Sequence, residues 1–550
     1  MKTFSRFSLL LAGMITVAHA ARKNVLLIAV DDLKPLIGAY GDPVAKTPNI
    51  DRLASRGLLF EHAYTNQALC APSRNALLTG IRPGTLGIYN LEVNFRNAAP
   101  DAITLPQQFI RHGYRAEAIG KLYHTGHGNH DDVKSWSVPL TRPDAPPFAL
   151  DENKPVRTGK EKPGQRVRGA AYESADVADD FYADGQIAKE TVSRLEAAKG
   201  REDTPFFIAA GFQKPHLPFV APKKYWDLYD PAQLKLAEFQ EAPAGVPGPA
   251  FRRNGELRSY KGREDADSLS PDEQRRLLHG YYAAVSYADA QIGKVLDALD
   301  RLGLTESTIV VLWGDHGWHL GDHGLWAKMT NFEEAARIPF IISAPGVTKP
   351  GGKTEALAQT VDVYPTLLEL AGVPAPDTTP ELEGKSLVPV LKDPAAKVHD
   401  SVLHVVPNQG YIGRAIRTAT HRFVEWKKPG EESLYELYDY DKDPQEKKNH
   451  VDDQPETVAE LKKALAEYPE AKPQMAGKAR AAGQGETPKQ GGQDRSRLFR
   501  NRDKDGDGKL TAEEFLANQK DQATAPARLK KFDKDGDGIL SREEFIKAGN

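Results

Sequence analysis

Acidic and basic side chains follow four short apolar segments of this sequence, each within a few residues of the segment's end. The segments and their side chains are 25–30 with Asp31 and Asp32, 116–119 with Lys121 and His124, 206–211 with Lys214 and His216, and 309–313 with Asp315 and His316. Short apolar runs of this kind are typical of strands buried on both faces of a parallel sheet. Because open parallel sheets bind ligands at the carboxyl ends of their strands, we expect these side chains to converge on one pocket.

The adjacent pair Asp31 and Asp32 suggests a cation site. Two neighbouring carboxylates repel each other unless a cation or a proton lies between them. Asp315 and His316 could complete such a site, and the majority of carboxylate ligands favours calcium or magnesium over zinc. On the residues alone, a helix cap or a turn remains the alternative for the aspartate pair.

Cys70, in the segment "NQALCAPSRNALLTG", is the only cysteine among the 550 residues. Pro72 suits a first helical turn and Gly80 a helix end, which places the thiol at a helix N-terminus. Free amides, the helix dipole and Arg74 one turn later would favour negative charge there, activating a thiol or stabilising an oxygen nucleophile. The alternative is a small buried apolar residue without a chemical role.

Strand and helix patterns alternate along most of the chain. Helical periodicity covers "TPNIDRLASRG", with Thr47 as its cap, and "AAVSYADAQIGKVLDALDRLG", which ends at Gly303. This alternation predicts an α/β domain over residues 21–384, with a mostly parallel central sheet flanked by helices.

After this domain the pattern changes. The segment "RAIRTATHRFVEWK" predicts an antiparallel hairpin, and residues 457–468 predict a helix, so we expect a smaller α+β domain over 385–470. Residues 471–493 lack apolar periodicity and predict a flexible linker.

The C-terminal segment 494–550 contains a repeat, "DKDGDGKLTAEEF" and "DKDGDGILSREEF", that fits two calcium-binding EF-hand loops and predicts an all-α pair. The predicted ligands of the first loop are Asp503, Asp505, Asp507, Lys509 through its backbone, Thr511 and Glu514. Those of the second loop are Asp533, Asp535, Asp537, Ile539 through its backbone, Ser541 and Glu544. Structural calcium binding is expected rather than sensing, although an attachment role stays open.

Residues 1–20 have the order of a cleavable export signal: basic residues, an apolar run and the small-residue segment "AHA". The run is short for a membrane span, so no transmembrane segment is expected in the mature chain, which we predict to be periplasmic, secreted or on the cell surface. The net charge of −3 does not favour nucleic-acid binding. An anionic substrate would therefore need a local basic pocket.

The segment "CAPSRNALLTG" resembles the C-x-P-S-R signature of sulfatases of the alkaline-phosphatase superfamily. The resemblance extends from about residue 24 to 443. It includes "VDDLKPLIGAYGDPVAKTPNIDRLASRG", "GKLYH", "GFQKPHLPFVAPKKY" and "WGDHGWHLGDHGLWAKMTNFEEAARIPFI", and the later segments look most like the iduronate-2-sulfatase subgroup. The resemblance implies that a maturation enzyme oxidises Cys70 to formylglycine, whose hydrated gem-diol attacks sulfur.

The resemblance also implies a role for each site residue. The ligands of an active-site calcium would be Asp31, Asp32, Asp315, His316 and an oxygen of the modified Cys70. Arg74 and Lys121 would orient and stabilise the nucleophile, and His124 would act as a base. Lys214, His216 and Lys328 would hold the sulfate, with His216 as proton donor to the leaving oxygen.

The sequence thus predicts an exported sulfuric ester hydrolase acting on a sulfated carbohydrate, with a 2-O-sulfated uronate as the first choice. The segments 133–186, 240–270 and 406–413 are expected to select the sugar. Tyr89, Asn90 and Asn94 lie near the expected sugar-binding side, with ordinary loop residues as the alternative for these three. One alternative is a phosphomonoester or phosphonate hydrolase of the same superfamily. Another is an inactive calcium-dependent surface-binding protein.

Overall fold

The computed structural model describes residues 22–156, 167–201, 203–252, 255–264, 266–476, 499, 502–503, 509–517, 525–533, 535–541 and 544–545. The described residues belong to two compact units, one within Met1–Gly477 and one within Lys478–Asn550. The predicted signal segment 1–20, the linker residues from 477 to 493, and the predicted ligands Asp505 and Asp507 lie outside the described residues.

The strands of the larger unit form a central sheet, a C-terminal sheet and two small pairings. They are β1 (Asn24–Val30), β2 (Leu58–Phe60), β3 (Ala63–Tyr64), β4 (Arg115–Gly120), β5 (Tyr172–Ala175), β6 (Phe206–Phe212), β7 (Phe219–Pro222), β8 (Thr308–Gly314), β9 (Phe340–Ser343), β10 (Gly352–Thr354), β11 (Ala358–Gln359), β12 (Val402–Asn408), β13 (Tyr411–Arg417), β14 (His421–Lys427) and β15 (Leu434–Asp439).

The α-helices connect and cover these strands. They are α1 (Pro48–Arg56), α2 (Cys70–Thr79), α3 (Pro83–Leu86), α4 (Leu105–Arg111), α5 (Ala183–Lys199), α6 (Lys223–Trp226), α7 (Gly255–Arg258), α8 (Pro271–Arg301), α9 (Glu333–Ala336), α10 (Val363–Ala371), α11 (Val388–Lys392) and α12 (Pro455–Ala466).

The central sheet has seven strands in the order β10-β2-β9-β8-β1-β6-β4. The four predicted strands are its neighbours β8, β1, β6 and β4, and they pair in parallel, as the sequence predicted. Successive residues of β1 alternate between two separate apolar cores: Leu27 packs with α4 and α10 on one face, and Ile28 with α1, α5 and α8 on the other. Because these four strands run parallel, the polar residues that follow them share one edge of the sheet.

Two helices differ from the expectations drawn from sequence. Helix α8 begins at Pro271, well before the predicted segment, because Ser270 and Glu273 form a capping box. Thr47 precedes α1 but does not cap it with its side chain. The Asp289 carboxylate on α8 accepts the amide hydrogens of Asn49 and Ile50 instead, so the two helices are fastened together at this point.

The C-terminal sheet is antiparallel, in the order β12-β13-β14-β15, and α12 packs on it through Leu461 and Leu465. The predicted hairpin corresponds to β13 and β14. The predicted linker, however, begins too early. The Lys472 amide donates to the Gly84 carbonyl at 2.9 Å and the Met475 amide donates to the Gly87 carbonyl, so residues 471–476 are fastened to α3.

The smaller unit contains the short helices Ala512–Ala517 and Ala525–Phe532 and an antiparallel pairing of Lys509–Leu510 with Leu540–Ser541. The pairing involves two residues from each predicted loop, and the remaining described elements of the unit are helices. Phe499, Phe515 and Phe545 are buried together with Leu510 and Leu540, so the unit has an apolar core of its own. No helix within the described residues is both long and apolar enough to cross a membrane.

Candidate active site

The carboxyl ends of β1, β4, β6 and β8 meet the N-terminus of α2. Cys70 is the first residue of this helix, and its side chain is buried, as the small apolar residues around it suggest. Asp31 and Asp32 follow β1 directly, and Asp315 and His316 follow β8. The central sheet and one helix N-terminus therefore bring together side chains that are far apart in the sequence.

The acidic side chains form one cluster with the thiol. Potential ligand atoms of Asp31, Cys70, Asp315 and His316 all lie within 4.8 Å of one another, as do those of Asp31, Asp32, Cys70 and His216. The His316 Nε2 atom lies 3.4 Å from Cys70 Sγ and 3.3 Å from an Asp32 oxygen. The Asp315 carboxylate also accepts the Asp32 amide hydrogen at 3.0 Å, which fixes the two strand ends relative to each other.

Arg74 connects this cluster to α2. Its guanidinium is fully buried and donates to Asp315 at 2.9 Å and to Asp31 at 3.0 Å. A further N–H group donates to the Lys121 carbonyl. Arg74 thus holds both carboxylates and the backbone of the β4 end in fixed positions.

Two ammonium groups flank the sulfur atom. Lys121 Nζ lies 3.5 Å from Cys70 Sγ and also contacts Asp31, and Lys328 Nζ lies 3.6 Å from Sγ and 2.8 Å from Asp32. Burial opposes ionisation of the thiol, but the charges of Lys121 and Lys328 outweigh it and lower the pKa of Cys70 well below its usual value. The site therefore stabilises negative charge at this position.

The carboxylates of the cluster fit a divalent cation. Burial raises the pKa of Asp315 to about 7, and the nearby charge of Asp31 adds to this effect. Burial likewise raises the pKa of Asp32, against the attraction of His216 and Lys328. A hard cation among these oxygen atoms would supply the positive charge that the buried carboxylates need.

The loop after β6 carries Lys214 and His216. The Asp184 carboxylate at the start of α5 accepts the amide hydrogens of Gln213 and Lys214 at 2.8 and 2.9 Å, which fixes this loop. Lys214 Nζ donates to the backbone carbonyls of His216 and Pro218, so it braces the loop in addition to adding charge near Asp31. His216 Nε2 faces the cluster, 4.0 Å from Asp32.

His124 lies at the outer side of the thiol. This histidine contributes to lowering the pKa of Cys70, after the larger effects of Lys121, Lys328 and His316. Its Nε2 atom lies 3.2 Å from His127 Nδ1 in the same loop. The structure thus brings all of the predicted residues of the pocket together around Cys70.

Sequence reasoning missed Glu256. This residue lies on the short helix α7, with its carboxylate 3.3 Å from both His216 Nε2 and Lys328 Nζ and 3.8 Å from Arg168. Burial opposes its ionisation, but Lys328 and His216 outweigh burial and lower the pKa of Glu256. The segment around it has no apolar periodicity, and no local pattern distinguished this glutamate from others.

The described parts of the two EF-hand loops have the expected local geometry. In the second loop, ligand atoms of Asp533, Asp535 and Asp537 lie within 4.8 Å of one another. The Glu544 carboxylate accepts the Ser541 amide and hydroxyl hydrogens, and Glu514 does the same for Thr511. The three aspartates of the second loop are therefore close enough to share one cation, and the other predicted ligands of the two loops stay predictions.

Comparison with known families and proteins identifies several similarities. The sequence model described as sulfatase matches residues 23–373, the one described as N-sulphoglucosamine sulphohydrolase, C-terminal, matches 321–471, and an EF-hand model matches 496–517 and 527–548. The chain is 36% identical over 418 residues to iduronate 2-sulfatase of Mus musculus, covering 68% of this chain and 74% of that protein. It is 37% identical over 409 residues to the Homo sapiens enzyme, covering 66% and 73%.

Solved structures share the fold. A structure described as a 2-O GAG sulfatase matches with a TM-score of 0.61 and 24% identity, covering 81% of this chain and 92% of that one. A phosphonate monoester hydrolase from Silicibacter pomeroyi matches with a TM-score of 0.65 and 22% identity, covering 81% and 95%. At these identities the two matches establish the fold alone.

Proposed function

This chain belongs to the sulfatase family and is a sulfuric ester hydrolase, and from this premise we propose that it hydrolyses sulfate esters of a carbohydrate at the Cys70 centre. The observation that carries the proposal is the position of Cys70, buried at a helix N-terminus between two ammonium groups and beside a carboxylate cluster. Such an arrangement binds a tetrahedral anion and stabilises charge on a nucleophile.

We propose that Cys70 is a precursor that a maturation enzyme oxidises to formylglycine. When hydrated, that group supplies an oxygen nucleophile for attack on sulfur. The "CAPSR" segment supports this step. His316 lies beside the thiol, but its Nδ1 atom faces the Gly317 carbonyl at 3.0 Å rather than the orienting acid of a cysteine hydrolase. The other described side chains near the sulfur are the ammonium groups of Lys121 and Lys328 and the carboxylates of the cluster.

Asp31, Asp32, Asp315 and His316 would hold a calcium ion, and the ion would neutralise charge on the sulfate. Calcium is preferred to zinc because most of these ligands are carboxylates. With the ion bound, Lys328 and Lys121 would be free to contact sulfate oxygens instead of Asp32 and Asp31.

Each remaining residue has a role that its position supports. Arg74 holds Asp31 and Asp315 and keeps the α2 N-terminus aligned with the strand ends. Lys121 and Lys328 stabilise negative charge as it develops near position 70. His216 presents Nε2 to the pocket and donates a proton to the leaving sugar oxygen, whereas His124, on the other side of Cys70, accepts one.

The proposed substrate is a 2-O-sulfated uronate in a glycosaminoglycan-like chain. The support is the similarity to iduronate 2-sulfatases, which extends over about two thirds of this chain. We further propose that residues 1–20 direct export and that the EF-hand pair binds calcium for stability or attachment.

The proposal is tested on natively exported protein by mass spectrometry of the peptide that contains Cys70, in parallel with hydrolysis of a 2-O-sulfated uronate disaccharide. We expect the mass of an aldehyde in place of the thiol, in proportion to the activity of the sample. A fully active sample that retains the unmodified thiol would overturn the proposed chemistry.

A phosphonate or phosphate ester hydrolase is the second candidate, because a phosphonate monoester hydrolase shares the fold. Rates on an aryl sulfate, an aryl phosphate and an aryl phosphonate separate the two functions. We expect the sulfate to be preferred by orders of magnitude, and the reverse order would favour the second candidate.

A further inference from the structure

We propose that a cavity next to the active site, between the β12–β13 turn and the segment 470–474, binds an acidic group on a sugar unit neighbouring the one that reacts. This inference rests on the proposed function and deepens it, because it makes the preferred substrate an oligosaccharide rather than a single sulfated sugar. The ligand group is a carboxylate or a sulfate, and Arg252 is the residue that recognises it.

The cavity has a volume of about 860 Å³, large enough for sugar units. Its lining includes the turn residues 408–411 and several charged residues: Arg252, Arg414, Lys427, Lys428, Glu431 and Glu470. The cavity lies wholly within the larger unit of the chain.

Arg252 differs from the other cations of the lining. Arg414 is paired with Glu425 and Glu470, Lys427 with the same two glutamates, and Lys428 with Glu431. No carboxylate within the described part of the chain lies at ion-pair distance from Arg252. Burial alone lowers its pKa, with no acidic neighbour to oppose the effect. A half-buried guanidinium without a counter-charge is well suited to bind an anion, since Arg pairs with carboxylate and sulfate through two parallel hydrogen bonds.

The cavity also offers a surface for a sugar ring. Tyr411, which is only partly buried, lines it, and Lys428 lies 5.2 Å above the Tyr411 ring, whereas Tyr89 is buried. Aromatic side chains beside polar groups are a common arrangement in sites that bind polar, ring-shaped ligands. The combination favours a charged sugar over a simple inorganic anion.

Three segments connect the cavity wall to the reaction centre. Arg252 is four residues before Glu256, which contacts His216 and Lys328. Asn331, three residues after Lys328, donates to the Gly413 carbonyl next to Ile412 of the lining.

The third segment joins the cavity to α2. Gln67, three residues before Cys70, donates to the Tyr89 carbonyl at 2.8 Å. Four residues span at most about 14 Å, so this contact places the Tyr89 backbone near the N-terminus of α2.

The test compares Arg252→Ala with the parent enzyme on two substrates, 4-nitrocatechol sulfate and a hexasaccharide carrying 2-O-sulfated uronate. We expect the KM for the hexasaccharide to rise about tenfold with little change in kcat, as for the loss of one charge-assisted hydrogen bond. The kcat/KM for the small aryl sulfate should stay within about twofold, since it does not reach the cavity. Arg275→Ala, on the exposed side of α8, is the matched control.

A second measurement avoids turnover. In a Cys70→Ala background, calorimetric binding of the hexasaccharide should weaken about tenfold when Arg252→Ala is added and should be unchanged by Arg275→Ala. Equal losses on both substrates, or no loss on the hexasaccharide, would overturn the inference. In either case the parent enzyme's activity on both substrates reports separately on the proposed function.

Discussion

At the scale of single residues, the site is organised to place negative charge at position 70. Lys121 and Lys328 approach the Cys70 sulfur from two sides, and Arg74 neutralises the carboxylates behind it. A side chain at this position therefore lies where two ammonium groups stabilise negative charge, and the same groups could contact a substrate anion. The reaction then depends on which atom the side chain at position 70 provides as the nucleophile.

Cys70→Ser tests that dependence. Serine keeps an oxygen between the two lysines but, without the oxidation step, cannot become the proposed aldehyde. We expect the rate on an aryl sulfate to fall by about a thousandfold or more, close to that of Cys70→Ala. Steady-state hydrolysis, with circular dichroism to check folding, makes the measurement. A serine variant with a tenth of the parent rate would show that a plain hydroxyl suffices.

Glu256→Gln removes a carboxylate charge that competes with a bound sulfate for contact with Lys328 and His216. We expect inorganic sulfate to inhibit this variant about tenfold more strongly, because two cations lose their competing partner. The inhibition constant against an aryl sulfate is measured for the variant and for the surface control Glu196→Gln. Unchanged inhibition would mean that Glu256 does not compete for the sulfate site.

Lys214 should give the activity a pH dependence. Burial lowers its pKa to about 8, against the attraction of Asp184 and Asp31. The ammonium is therefore charged below pH 8 and neutral above it, whereas an ordinary lysine stays charged to about pH 10. Lys214→Arg keeps its charge throughout, so the ratio of its kcat/KM to the parent value should rise about tenfold between pH 7 and 9. The exposed control Lys189→Arg should show a flat ratio, and a flat ratio for Lys214→Arg would contradict the expected role.

Sequence pattern predicted the residues at strand ends because the polar residue follows directly after an apolar run, as with Asp31 and Asp315. It could not predict Glu256, which reaches the site from a loop whose path depends on long-range packing. Nor could it predict that Lys214 donates to two backbone carbonyls of its own loop. Such details follow from side-chain conformation and burial rather than from residue type.

At the scale of elements, the close approach of β4 and β6 positions Lys121. A side chain on Gly211 would lie 2.1 Å from the Lys121 carbonyl, and one on Gly120 would lie 2.3 Å from the Gly211 carbonyl. The two strands can end this close together only because both positions lack a Cβ atom. The position of Lys121 therefore depends on this backbone contact as well as on its ion pair with Asp31.

Gly211→Ala should therefore disturb both stability and activity. The added methyl group must push the β4 end away, and we expect a loss of about 1–3 kcal/mol in the free energy of unfolding. Activity should fall as well, because Lys121 moves away from position 70. Chemical denaturation and aryl sulfatase assays make the measurement. Gly200→Ala, where the nearest atom is 3.6 Å away, is the control and should be nearly neutral. Unchanged stability in Gly211→Ala would refute this reading of the strand contact.

The elements themselves were predicted unevenly, for physical reasons. The four central strands were predictable because they are buried on both faces and read as continuous apolar runs. The start of α8 was missed, although the capping box of Ser270 and Glu273 signals it. The capping of α1 by Asp289 and the attachment of residues 471–476 to α3 depend on partners distant in the sequence, and local pattern carries no information about them.

At the scale of the whole molecule, the proposed catalytic residues and the cavity at Arg252 all lie in the larger unit. The two sulfatase-type matches together cover residues 23–471, and the EF-hand matches begin at residue 496. The smaller unit has its own apolar core around Phe499, Phe515 and Phe545. Hydrolysis and calcium binding by the EF-hand pair are therefore expected to be separable.

Truncation after residue 477 tests this separation. We expect the shortened chain to hydrolyse an aryl sulfate with a kcat/KM within about twofold of the full chain, because the truncation removes none of the proposed catalytic residues. Calorimetric titration should show calcium binding in the full chain that the truncated chain lacks, while a chelator should reduce hydrolysis in both through the cluster around Asp31. Glu544→Ala in the full chain is the matched control, since it removes one proposed ligand of the second loop and should lower calcium binding but leave hydrolysis unchanged. A tenfold loss of kcat/KM in a well-folded truncated chain would instead show that the C-terminal unit supports the reaction.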